Sequence, residues 1–247
     1  NFGIGVTDPD EVLEVAGDMK VSGSNKLYLY DSGGEYLASD GTTLTITAGA
    51  SSAMKLDANS RISLSNNDGN TSNTVFGKSA FEPTSDGDVG ADYNVAIGEL
   101  AMGTGNLAAA IDNVAVGYKA LEDITSGDYN IGVGYTALQN VTEGSSNTCM
   151  GYNAGGSITT GTANVCIGIQ AGDGFDTESY NVAIGTDALT SSSLAVGSTI
   201  AIGASALAAL TTGAQNTAIG YQAADGITTG TQNTTLGYQS LAAAAGA

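Results

Sequence analysis

Histidine and tryptophan are absent from the 247 residues, and proline and cysteine occur only twice each. Without His there is no Ser–His or Cys–His nucleophile pair and no histidine zinc site. Two cysteines do not make a disulfide framework. Cations are nearly as scarce: Lys20, Lys26, Lys55, Arg61, Lys78 and Lys119 face 25 carboxylates, a net charge of −19, and no positive side chain follows Lys119. Nucleic acid is therefore not an expected partner, because binding it requires cations to neutralise phosphates. Anionic membrane surfaces are disfavoured for the same reason. Apolar runs such as Leu107–Ile111, Ala206–Leu210 and Leu241–Ala245 are five residues long, against the roughly 20 of a membrane span. These features predict a soluble chain, and a start at Asn1 rather than Met suggests a trimmed N-terminus.

Glycine is abundant, 36 of 247, and the reason is an internal repeat. The pattern Asn-x-x-apolar-Gly-x-x-Ala occurs ten times, beginning at residues 73, 94, 113, 130, 147, 164, 181, 199, 216 and 233. Successive copies are 17 residues apart in six of the nine steps. A period this short is below that of helical-pair repeats or propeller blades and suits one coil of a β-solenoid. Stacked coils set equivalent residues about 4.8 Å apart, so that ten rungs extend roughly 45 Å.

Each column of equivalent residues then has a predicted job. Asn73, Asn94, Asn113, Asn130, Asn147, Asn164, Asn181, Asn216 and Asn233 are placed to form an amide ladder, each donating to and accepting from the next; the alternative is that each only caps its own turn. Thr199 interrupts the column. Glycine follows the strand in every copy (Gly77, Gly98, Gly117, Gly134, Gly151, Gly168, Gly185, Gly203, Gly220 and Gly237), where the chain must turn with positive φ or admit another backbone. The strand alternates a large outer pair with a small middle residue such as Ala96, Ala115, Cys149 or Cys166. That thin composition predicts large residues inside the coil, a small face against another chain, and trimerisation. Residues 1–72 lack the repeat. Short alternating runs there (Lys26–Tyr30, Thr43–Thr47, Met54–Leu56, Arg61–Leu64) between turn signals predict a β-rich shaft or prism segment. The predicted fold is thus all-β, a shaft over 1–72 and a parallel β-roll of ten rungs over 73–247.

The repeated Asn-Val-Ala-Ile-Gly-x-x-Ala, as in Asn94–Ala101 and Asn181–Ala188, resembles the β-roll heads of bacterial trimeric autotransporter adhesins. The form Asn216-Thr-Ala-Ile-Gly-Tyr-Gln-Ala223, with Thr-Thr-Gly between copies, is similar to repeats of bacteriophage tail fibres. The opening Gly3-Ile-Gly-Val-Thr-Asp-Pro, with Leu13-Glu-Val-Ala-Gly-Asp and Lys26-Leu-Tyr-Leu-Tyr-Asp, resembles shaft-entry sequences of such fibres and of surface proteins that end in an endosialidase-type chaperone. These resemblances imply a left-handed roll, a parallel homotrimer, and a role in attaching a virion or a cell to a host surface through a glycan or protein. Adhesin-head repeats are shorter than 17 residues, so longer outer turns are expected here. The phage fibre in the virion is the first reading, and a bacterial adhesin or extracellular appendage, which would be expected to carry an anchor or coiled-coil stalk, is the second. A polysaccharide-degrading spike is third. Three chains at −19 each repel one another, which predicts better assembly in salt or divalent cations.

Chemistry-bearing residues are few. Cys149 and Cys166, one period apart, read as small apolar residues on one face. Glu122–Asp123, Asp86/Asp88/Asp92 and Asp173/Asp176/Glu178 are carboxylate clusters in turns, expected to be solvated surface rather than a glycosidase pair. No cofactor is expected, and Asp173, Asp176 and Glu178 are the oxygen ligands for a calcium ion if one binds. Tyr118, Tyr135 and Tyr152 follow the repeat glycine in three consecutive copies, and Tyr221 and Tyr238 do so further on. Stacked rings of this kind pack the surface or offer a platform for a receptor's sugars.

Overall fold

The computed structural model describes residues 73–81, 90–104, 107, 109–191 and 197–241, together with strands at 2–4, 13–15, 43–48, 51–57 and 62–63. The chain divides into two compact units, Asn1–Lys55 and Leu56–Ala247. In the first, β1 (Phe2–Ile4) pairs in parallel with β2 (Leu13–Val15), and β3 (Thr43–Ala48) is bonded to β4 (Ser51–Asp57), which runs across the division. The predicted runs at 43–47 and 54–56 fall within β3 and β4, whereas Lys26–Tyr30 lies outside the described residues.

The second unit is a parallel β-solenoid of ten rungs. Its strands are β6 (Thr74–Phe76), β7 (Val95–Ile97), β8 (Val114–Val116), β9 (Ile131–Val133), β10 (Thr148–Met150), β11 (Val165–Ile167), β12 (Val182–Ile184), β13 (Ile200–Ile202), β14 (Thr217–Ile219) and β15 (Thr234–Leu236). Each pairs in parallel with the next, and residues one repeat apart sit directly opposite, as Cys149 opposite Cys166 and Ala183 opposite Ala201. The first edge is covered by β5 (Ile62–Ser63), which pairs antiparallel to β6 and occupies backbone groups that would otherwise invite another strand. Residues 62–63 are thus part of the solenoid unit, ahead of the first repeat motif.

Which side of the strand faces inward reverses the expectation from the sequence. The middle residues Ala96, Ala115, Cys149, Cys166, Ala183, Ala201 and Ala218 are fully buried inside the coil, while Ile97, Ile131, Met150, Ile167 and Ile219 on the other side are exposed. The alternation was legible, but its polarity was not, because period-two spacing is symmetric under exchange of faces. Volume decides it: the coil interior is already filled by two further columns, Leu121/Leu138/Leu189/Leu207 and Ile124/Val141/Ile158/Phe175/Leu210, all buried. Only a small side chain fits opposite them. Where the strand carries the larger Cys149 or Cys166, the facing residue is Gly155 or Gly172, and a Cβ there would lie 2.7 or 2.5 Å from the Cys sulfur.

Turning so tightly demands unusual backbone. In the rung beginning at Asn130, Thr136 and Leu138 have φ of 54° and 53°, and Tyr129 just before it has 58°. The pattern recurs from rung to rung in Ser, Gln, Asp and Leu side chains, giving 27 non-glycine residues with positive φ among those described. Such residues are normally uncommon, and the hydrogen bonds show what sustains them. Thr136 N–H donates back to the Tyr118 carbonyl (2.9 Å), whereas Leu138 N–H donates forward to that of Ala154 (3.0 Å). Left-handed positions keep the inter-rung bonding continuous around corners where a strand would lose it, so few backbone groups are left unpaired.

Candidate functional site

Among the described residues, the solenoid offers three arrays that bear on function: the buried amide column, the tyrosine stacks, and the outward strand face. Asn130 is typical of the first. Its Nδ2 donates to Asn113 Oδ1 (3.1 Å) and to the Gly144 carbonyl (2.8 Å), and its Oδ1 accepts from the backbone N–H (3.0 Å) and the Nδ2 (3.0 Å) of Asn147. Asn130 thus bonds both to its neighbours and to the end of its own coil, combining the ladder and the cap, and Asn113, Asn147 and Asn164 reach the ends of their coils likewise. Asn113, Asn147, Asn164 and Asn233 donate to the preceding Asn in the same way. Asn94 instead donates to the Ala110 carbonyl (2.8 Å), while its backbone N–H reaches Asn73 Oδ1 (2.7 Å).

Thr199 is the interruption. Its backbone N–H still donates to Asn181 Oδ1 (3.1 Å), but its buried hydroxyl has no hydrogen-bond partner. A threonine side chain is too short to reach both the preceding amide and the end of the coil. Thr199→Asn is expected to restore the ladder and to raise stability by about 1 kcal/mol, read as a higher urea midpoint at unchanged slope. A lower midpoint would show that the rung has adapted to threonine.

Tyr118, Tyr135 and Tyr152 form a continuous stack, with ring centroids 5.0 and 5.3 Å apart and ring planes inclined by 23° and 7°. Tyr221 and Tyr238 form a second, at 5.5 Å and 12°. Lys119 Nζ lies 5.7 Å from the Tyr118 ring centre. Because the rings cover one another, the Tyr135 faces are occupied, and the stack presents edges and hydroxyls to solvent. Ring faces suited to a sugar remain only at the stack ends, among them that of Tyr221 in the rung above Ala204.

The acidic residues do not converge. Among the described residues there is no group of three or more His, Cys, Asp or Glu suited to a metal ion. Glu178 Oε2 accepts the backbone N–H groups of Asp176 (2.7 Å) and Thr177 (3.1 Å), and Asp176 accepts the Thr159 hydroxyl. Asp173 accepts from Gln170 Nε2 at 3.4 Å. Burial raises the Asp173 carboxyl above its ordinary range; Gln170 opposes this and Asp187 adds to it. Glu122 is buried and fully engaged, by Lys119 Nζ (2.9 Å) and Gln139 Nε2 (2.6 Å), and that bond raises the Lys119 ammonium despite the opposing cost of burial. Asp123 accepts the Thr104 hydroxyl (2.8 Å). Asp86 and Asp88 lie outside the described residues. Cys149 and Cys166 are free and fully buried, and burial pushes the Cys149 thiol well up, which suits packing rather than reactivity.

A further polar column runs along the recurring Thr-x-Gly segments between rungs. Thr125 and Thr142 donate their hydroxyls to the carbonyls one repeat ahead, at 3.0 and 3.3 Å, and Thr211 does so to Thr228 at 2.9 Å. The recurring Thr two residues before Gly was its signal.

The outward strand face is the third array. Its two columns, Val95/Val114/Ile131/Thr148/Val165/Val182/Ile200 and Ile97/Val116/Val133/Met150/Ile167/Ile184/Ile202, contain no charged residue. They are partly or fully exposed throughout. Comparison with protein-family models, with curated proteins and with solved structures finds no match for this chain.

Proposed function

We propose that this chain is a structural segment of a homotrimeric attachment fibre, of the kind found in phage tails, which spaces or mediates contact with a host surface. The observation that carries this reading is the uncharged strand face. On a chain of net charge −19, like-charged copies can approach closely only where charge is missing, and this face carries no charge from β6 to β15, its only polar side chains being Thr74, Thr148, Thr217 and Thr234. An exposed, uncharged and largely apolar strip of this length is typical of an interaction surface. A second copy matches it rung for rung, because its side chains recur at the same spacing. The solenoid's closed hydrogen bonding and the lack of converging catalytic groups among the described residues suit a passive, stiff element.

Light scattering coupled to size exclusion tests this. The unaltered chain is expected to be a trimer, more completely so at high salt. Ile97→Lys, Ile167→Lys and Ile219→Lys together are expected to give monomers with an unchanged circular dichroism spectrum, since these side chains lie outside the coil. A monomeric parent chain, or a triple variant that stays trimeric, would sink the proposal.

A further inference from the structure

We propose that the two tyrosine stacks are sites of oxidative cross-linking, joining successive rungs through dityrosine when the protein meets a peroxidase and hydrogen peroxide. The inference stands on the stacking geometry and does not depend on the fibre reading. Every link between rungs described above is non-covalent. Among the described residues, the stacks are where tyrosine side chains are both solvent-accessible and held in contact, with centroids 5.0–5.5 Å apart and exposures of 49% for Tyr135, 53% for Tyr152 and 71% for Tyr238. The cysteines, by contrast, are out of reach of solvent.

The chemistry balances without further reagents. The peroxidase takes one electron and one proton from each of two phenols, and the peroxide is reduced to two waters. The two phenoxyl radicals carry spin at their ortho carbons, which couple to form one carbon–carbon bond. Each coupling carbon then loses its hydrogen as a proton while the adjacent oxygen regains one, restoring both phenols. Stacking supplies the step that is rare in solution, the meeting of two short-lived radicals.

The same chain contains its own control. Tyr93, Tyr129 and Tyr180 are comparably exposed, at 58%, 57% and 67%, but they stand two or three rungs apart in another column and none of them stacks with another of the described tyrosines. If exposure governed the reaction, Tyr180 would be among the first to react. If stacking governs it, the bonds join 118 to 135, 135 to 152 and 221 to 238.

Treating the full chain with peroxidase and hydrogen peroxide, mixing isotopically light and heavy protein, and mapping the cross-linked peptides by mass spectrometry decides between them. The three stacked pairs, within one chain, are expected to exceed any product of Tyr93, Tyr129 or Tyr180 by about tenfold. Tyr135→Phe preserves the stack's shape, and should abolish both products of the first stack while leaving that of Tyr221 and Tyr238 intact. Equal yields from the isolated tyrosines, predominantly light–heavy products, or no dityrosine at all would overturn the proposal.

Discussion

Gly151→Ala is expected to destabilise the solenoid by about 4 kcal/mol, at the severe end for a one-carbon change. Two costs combine. Gly151 has φ of +140°, a conformation essentially closed to side chains. An added Cβ would also stand 2.3 Å from the carbonyl oxygen of Gly168, the equivalent glycine of the next rung. That oxygen is backbone, accepting from Ala171 N–H in its own turn (3.4 Å), while Gly168 N–H is tied to the Met150 carbonyl of the rung before (2.8 Å), so relief requires neighbouring coils to move apart. Gly237 separates the two costs. Its φ is +122°, but a Cβ there would meet nothing within 4 Å, so Gly237→Ala should lose only about 1–2 kcal/mol from backbone strain. Urea unfolding followed by circular dichroism measures both; equal losses would show that strain alone, not the close approach of the rungs, makes glycine necessary.

Asn147→Ala is expected to cost about 3–5 kcal/mol. The substitution deletes the Nδ2 bonds to Asn130 Oδ1 (3.0 Å) and the Gly161 carbonyl (2.9 Å), and removes the acceptor for the backbone N–H (3.0 Å) and Nδ2 (3.1 Å) of Asn164. All of these lie in a fully buried column, where stranded partners lose water without compensation. Asn147→Asp tests the donor role separately. A carboxylate would aim lone pairs at two acceptors, and burial would raise its pKa in the folded state above the unfolded value. With that sign, the unfolded state ionises first as pH rises, so the variant should be weakest at neutral pH and regain stability as pH falls through the raised folded value. A variant equally stable at pH 5 and pH 7 would mean that the amide donor does not matter.

How much of this was legible beforehand differs from column to column. The ten-fold motif fixed the period, the parallel stacking and the positions of Asn, Gly and Tyr, because a solenoid places residues one repeat apart in register and so writes its contacts into the chain as a list. The junction was less visible: Ile62–Ser63 pairs with the first rung although neither residue belongs to a repeat. The left-handed positions were invisible. Most are held by residues such as Thr136, Leu138 and Tyr129, with Asn153, Gly155 and Gly172 among the few of a type that favours this conformation, and hydrogen bonding to the adjacent rungs sustains them.

The sequence by itself determined the architecture, since a 17-residue recurrence with an invariant glycine admits few other ways of burying apolar surface. It also determined the electrostatics, a strongly acidic chain with no cation after Lys119. Only the tertiary structure decided which strand face is inside, because alternation is symmetric until the volume of the facing Leu and Ile columns breaks the tie. It decided, too, that the tyrosines meet face to face and that Glu178 binds its own turn instead of joining Asp173. Those outcomes depend on where the coil bends between columns, and that bending is set by packing against the rungs on either side.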